Sequence, residues 1–184
     1  MSKRIATLAA AAFSALAITA TVIAPVRAEE KTVMVGGAAM FPSKNIIQNA
    51  VHSKDHTTLV AAVKAAGLVD TLEGKGPFTV FAPTNTAFGK LPTGTVDNLI
   101  KPENKATLTK ILTYHVVPGK LEASDLADGK KLRTVEGEEL TVKKADGKVM
   151  IVDAKGGAAT VTVPNVNQSN GVIHVVDTVL MPAS

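Results

Sequence analysis

Apolar and polar positions follow one period in the first half of the chain and another in the second. Leu59, Ala62, Val63 and Ala66 recur at i, i+3, i+4 and i+7, which predicts a helix over 57–68. Asp55 is its candidate N-cap and Gly67 its stop. Ile46, Ile47, Ala50 and Val51 give a short apolar face over 45–52. Gly74-Lys75-Gly76-Pro77 then breaks the chain. Phe78-Thr79-Val80-Phe81 alternates as a buried strand should, and Pro83 ends it. Thr84 or Asn85 can cap a short helix carrying Ala87 and Phe88. Val96, Leu99 and Ile100 mark another over 95–100, stopped by Pro102, and 103–116 forms a longer one.

After residue 117 the period changes. Short β-rich runs (132–135, 139–143, 149–153, 159–163 and 172–180) are separated by Asp128-Gly129, Glu136-Gly137, Asp146-Gly147, Gly156-Gly157 and Asn170-Gly171. Asp-Gly and Asn-Gly suit the positive-φ positions of tight hairpin turns. Helices first and antiparallel strands second imply an α+β domain rather than a doubly wound parallel sheet. Residues 29–44, charged and then broken by Gly36-Gly37 and Pro42, read as a flexible lead-in.

The first 28 residues read as an export signal. Lys3 and Arg4 form a positive start, residues 5–24 carry no charge, and Val26-Arg27-Ala28 resembles a cleavage site, so cleavage is expected after Ala28. No membrane span is expected to remain after cleavage. This segment changes what the composition means. The 184-residue chain has a formal charge of +4. Removing three of its 20 basic residues and none of its 16 acidic ones leaves +1. The remaining lysines are scattered among acids, Arg133 is the one arginine left, and aromatics are few, so nucleic acid is not an expected partner. The absence of cysteine excludes a disulfide framework, a thiolate metal site and a cysteine nucleophile.

Motifs for chemistry are missing. No phosphate loop or nucleophile elbow occurs. Ser169, His174 and Asp177 can be written as a triad, but His174 and Asp177 lie three apart on one strand and point to opposite faces. His52 and His56 have the i, i+4 spacing of a helical metal pair. Ser53 and Asp55 between them look like a helix boundary, so both are read as solvated, and no metal or other cofactor is expected. His115 continues the stripe of Leu108, Ile111 and Leu112, which makes it a core histidine locking its helix to the next strand or loop. Tyr114 is rotated about 100° from that stripe and falls nearer the boundary. His174 alternates with Val172 and Val176 on one sheet face.

Four blocks in the region 45–182 resemble a fasciclin-like domain. Thr58–Leu68 resembles its early helix. Gly76–Phe88 matches its first signature, which holds Phe78, Phe81, Pro83, Thr84, Asn85 and Phe88. Leu112–Gly119 matches the second, with the Tyr114-His115 pair. Asn170–Asp177, with Gly171 and His174, followed by Leu180-Met181-Pro182, matches the closing strand. The resemblance implies a β-wedge or sandwich with helices packed at one side, and a non-enzymatic role in cell adhesion or extracellular interaction. It implies a cell-surface or envelope protein or glycan as partner, with contact at Tyr114 and His115, and a monomer in the periplasm or outside the cell. The alternative is a periplasmic protein that binds or senses a small ligand, using a pocket between helices and sheet.

Overall fold

A computed structural model describes residues 31–183, so the expected export signal at 1–28 lies outside the described residues. The chain opens with strands β1 (Val33–Val35) and β2 (Ala38–Met40). Helices α1 (Ile46–Ala50), α2 (Thr57–Ala66) and α3 (Val69–Glu73) follow, then strand β3 (Phe78–Pro83). Three more helices, α4 (Asn85–Gly89), α5 (Thr95–Leu99) and α6 (Lys105–Tyr114), lead to β4 (Val116–Pro118). The second half is all strand: β5 (Lys131–Arg133), β6 (Glu139–Ala145), β7 (Lys148–Val152), β8 (Ala158–Gln168) and β9 (Gly171–Val176).

Strands β3 to β9 form one sheet in the order β4-β3-β9-β8-β7-β6-β5. Its neighbours are antiparallel except for β3 and β9, second and third in that order, which run parallel with Phe81 opposite His174. This parallel pair departs from the all-antiparallel reading. Its strands are separated by the whole α4–β8 stretch, long enough for the crossover that parallel pairing needs. The sheet curls until its ends meet, and the Val135 N–H donates to the Val116 carbonyl at 2.8 Å.

Strands β3 and β9 are buried on both faces, which divides the core. Val80 and Ala82 of β3 and Ile173 and Val175 of β9 pack with Leu59, Ala62 and Val63 of α2 and Leu108, Ile111 and Leu112 of α6. Phe81 and Val176 turn the other way, into a second cluster with Tyr114, Leu126, Leu140, Val142, Ile151 and Leu180. A strand between two apolar layers reads as a continuous apolar run rather than a half-polar alternation.

The residues expected to form a flexible lead-in are instead structured from Val33 onward. β1 and β2 pair as a hairpin across Gly36-Gly37, both at positive φ (57° and 75°). Val35 and Met40 are buried in the helix-side core. Gly36 fits against the turn before α2, where the Lys54 N–H reaches its carbonyl at 3.2 Å and a Cβ would lie 2.4 Å from Ser53 Oγ. Asn49 of α1 completes the anchor. Its side chain accepts from the Phe41 N–H (3.1 Å) and donates to the Phe41 carbonyl (2.8 Å), as a neighbouring strand would, and also donates to Gln168 Oε1.

Helix ends explain other differences from the expected bounds. Asn45 and Gln48 form a reciprocal capping box that starts α1. Asp55 lies in a 3-10 turn (Lys54–His56) and does not cap α2. The cap comes from far along the chain, because Asn85 Oδ1 accepts the Thr58 N–H at 3.0 Å. Gly67 ends α2 in the left-handed conformation, φ 73°. Thr84 caps α4 by accepting from the Ala87 N–H.

Candidate functional site

The Tyr-His pair sits where α6 runs into β4, and both side chains are sealed inside. His115 occupies the C-cap position of α6. One ring nitrogen, Nδ1, lies 2.8 Å from the Ile111 carbonyl one turn back, and the other, Nε2, accepts from the Leu180 N–H at 2.9 Å. These partners fix the tautomer, with the proton on Nδ1. Burial lowers the His115 pKa to about 4, against a smaller opposing pull from the Ile111 carbonyl and Asp153. The imidazole is therefore neutral at physiological pH.

Tyr114 has no exposed surface, which corrects the expected boundary position. Helical phase does turn it away from α6's own stripe, but the second apolar cluster lies on that side as well. Its hydroxyl accepts from the Ala154 N–H at 2.9 Å and donates to the Glu139 carbonyl at 3.3 Å. Burial pushes the hydroxyl pKa up, the Ala154 N–H opposes this, and Asp153, Glu138 and Glu136 reinforce it.

Asp153, next to Ala154, joins the two partners of the pair. Its Oδ1 accepts from the Lys155 and Gly157 N–H groups (3.0 and 2.7 Å), which shapes the β7–β8 turn. Its Oδ2 accepts from the Met181 N–H at 3.0 Å. Tyr114 thus holds the turn, the turn's aspartate holds Met181, and His115 holds Leu180. These bonds form a closed clamp on the segment after β9.

The second histidine of the sheet is equally committed. His174 has no exposed surface, and its ring stacks on Phe81 with centroids 5.7 Å apart. Nε2 lies 2.8 Å from the Leu121 carbonyl, and Nδ1 accepts from the Asn165 N–H at 3.3 Å. Burial lowers its pKa, opposed by the Leu121 carbonyl and Glu122. Asp177 Oδ1 accepts from the Thr160 N–H (2.8 Å) and the Thr178 hydroxyl (3.0 Å), and its Oδ2 lies 3.6 Å from Lys90. Burial alone would raise the Asp177 pKa, but these donors and the Lys90 charge bring it below the usual range. His174 and Asp177 spend their side chains on these separate partners, so with Ser169 they form no triad.

A cavity of about 50 Å³ lies between the helices and the β3–β9–β8 face. Met40, Leu59, Val63 and Ile173 contribute to its apolar lining, and His56 reaches it from the turn before α2. His52 is exposed as expected, but His56 is only 3% exposed, which corrects its reading as solvated. The chain leaves helical geometry between the two residues, so they do not converge on a metal-binding face. Among the described residues no group of three or more His, Cys, Asp or Glu side chains is arranged to hold a metal.

A fasciclin domain model matches residues 54–182. The chain belongs to the fasciclin domain family. It is 48% identical over 168 residues to protein sll1483 of Synechocystis, covering 91% of this chain and 90% of that one. It is 38% identical to the immunogenic protein MPB70 of Mycobacterium bovis, over 72% of this chain and 66% of that one. It is 44% identical to the cell surface glycolipoprotein MPB83 of the same species, over 62% of this chain and 48% of that one. Among solved structures, a FAS1 domain pair from the insect cell adhesion molecule fasciclin I shares the fold, with a TM-score of 0.68 at 20% identity. That likeness covers 77% of this chain and 52% of the pair.

Within this fasciclin domain the signature residues are joined by direct bonds. Asn85 donates to the Lys54 carbonyl at 2.8 Å while capping α2, and Thr84 starts α4 so that Phe88 enters the core. Pro83 closes β3 opposite Val176. Gly171 lies against Phe78, where a Cβ would come within 2.0 Å of the Phe78 carbonyl oxygen. Sequence reading missed Asn170, beside that glycine, as more than a turn residue. Its Oδ1 accepts from the Ile46 N–H (3.1 Å), and its Nδ2 donates to the Leu72 and Gly74 carbonyls (2.7 and 2.9 Å). It also missed Asp153 and Asn49, each of which adds to its local bonds one partner distant in sequence, Met181 and Gln168 respectively.

Proposed function

We propose that this chain is an exported, non-enzymatic interaction domain that works at the cell surface or in the envelope on a protein or glycan partner. The observation that carries this reading is the inward commitment of the polar signature side chains. Tyr114, His115, His174 and Asn170 are buried, and each spends its hydrogen-bonding atoms on backbone groups that hold segments together. A domain whose signature residues stabilise its shape presents function through its outer surface. Relatives described as a cell surface glycolipoprotein and a cell adhesion molecule support the same reading. Among the described residues no helix is long and apolar enough to cross a membrane.

In this reading Tyr114 and His115 act on binding by shaping the 153–157 turn and the 180–183 segment rather than by touching the partner. The test is binding of fluorescently labelled chain, residues 29–184, to envelope fractions of the source organism. Saturable binding that unlabelled chain competes away is expected. Protease or glycosidase pretreatment of the fraction then identifies the partner class. Binding that neither saturates nor is competed overturns the proposal. A second reading, binding of a small ligand, is favoured by the apolar cavity between helices and sheet.

A further inference from the structure

The cavity beside α2 holds one polar atom that the fold leaves without a partner. His56 is 3% exposed, and its Nδ1 lies 2.9 Å from Ser53 Oγ, while its Nε2 is buried with no hydrogen bond. A buried polar atom left unpaired costs roughly 1–3 kcal/mol, so its retention needs a reason. Burial lowers the His56 pKa, which keeps the ring neutral, with one N–H and one lone pair. The Ala82 carbonyl pulls the other way, the influence of a nearby acceptor, although it makes no hydrogen bond of good geometry with the ring. The contact with Ser53 Oγ is compatible with either tautomer, and the nearby Ala82 carbonyl favours the one in which Ser53 Oγ–H donates to Nδ1 and the proton sits on Nε2.

Water is a poor occupant for this space. A buried water needs two to four polar partners. The rest of the lining is aliphatic or aromatic side chains, except for His115, whose two nitrogens are already used. The space suits a guest that is apolar over most of its surface and satisfies a single donor. At about 50 Å³ it is smaller than the ~150 Å³ dry cavity that takes benzene. One wall, formed by Val35 and Met40, belongs to the β1–β2 hairpin, which shares no ladder with the main sheet.

We propose that this cavity binds a small neutral carbonyl compound, such as a short ketone, aldehyde or ester, whose oxygen accepts from His56 Nε2–H while its alkyl groups lie against Leu59, Val63 and Ile173. The proposal rests on the small-ligand reading and names its ligand class. It requires no chemistry on the guest, only binding, and the occupied site leaves His56 fully paired.

The test uses the purified chain, labelled with ¹⁵N and with ¹³C methyl groups, titrated with acetone, the smallest ketone, and, separately, with the near-isosteric alkene 2-methylpropene. The ketone is expected to shift the His56 Nε2 resonance and the Leu59, Val63 and Ile173 methyl signals saturably. The alkene should bind about tenfold more weakly, the effect of one lost hydrogen bond. Val63→Leu, which fills the cavity without touching His56, should abolish ketone binding while the protein stays folded. Equal affinity for ketone and alkene overturns the role of His56 but leaves a small-ligand site standing. Unmoved methyl signals with both probes overturn the site and the small-ligand reading together. Undiminished ketone binding by a folded Val63→Leu variant removes the guest from this cavity.

Discussion

The imidazole of His115 accepts a hydrogen bond from the backbone N–H of Leu180, 65 residues further along the chain, at 2.9 Å. This bond ties the end of α6 to the segment after β9. His115→Ala should remove core packing and leave the Leu180 N–H unpaired, lowering stability by about 2–4 kcal/mol. Urea unfolding measures this directly. An unchanged urea midpoint would mean that the bond contributes nothing.

The same imidazole makes the fold acid-sensitive. Its pKa is about 4 when folded, against 6.5 for the free side chain, so between those values the unfolded chain binds the extra proton. Its stabilising contribution is complete above about pH 6.5, falls as the pH drops, and is lost by about pH 4, for a total of about 3 kcal/mol. Burial also lowers the pKa values of His56 and His174, which adds to the loss in the same direction. His115→Gln should flatten the dependence of stability on pH by about one proton across this range. Equal slopes in the variant and the wild type would place the acid sensitivity elsewhere.

Asn170 is expected to matter as much as any apolar core residue. Asn170→Ala strands the Ile46 N–H and two carbonyls, at a cost of about 2–4 kcal/mol. Asn170→Asp retains the acceptor, loses both donors and places a charge against the Leu72 and Gly74 carbonyls, so it should be at least as damaging. Gly171→Ala should be worse than a surface glycine change such as Gly129→Ala, because its Cβ meets the Phe78 carbonyl while Gly129 faces open space. Thermal melts of the four variants give this ranking.

Tyr114→Phe keeps the ring and deletes the hydroxyl that the Ala154 N–H donates to. A loss of about 1–2 kcal/mol is expected. Faster amide exchange should appear at 153–157 and 180–183, since the clamp runs through both. Exchange confined to α6 would show that the hydroxyl does not hold the β7–β8 turn.

Much of this architecture is legible in the residues alone. The stripe Leu59, Ala62, Val63, Ala66 and the stop at Gly67 mark α2, and Asp146-Gly147, both at positive φ (52° and 73°), form the turn their type suggests. Asn170-Gly171 looks the same in sequence but adopts no positive φ. Its asparagine is used for its side chain and its glycine for close approach, and neither use leaves a local trace. The β1–β2 hairpin carries a usable signal, Gly-Gly between two apolar runs, but Ala38 and Ala39 form strands weakly and its anchor, Asn49, lies on a helix. Tyr114 is misplaced by helical phase, which reports one helix's own stripe and says nothing about a second apolar layer approaching from the opposite side.

The contact between Val135 and Val116 also limits how this domain can be recognised. Where the two ends of the sheet meet, the backbone groups that would line an open edge are turned toward each other, and the strands β4 and β5 there are three residues long. An incoming extended peptide finds only these short strands to continue at that seam. A partner that docks there must then read side chains and surface relief, because the seam gives it little backbone to zip onto.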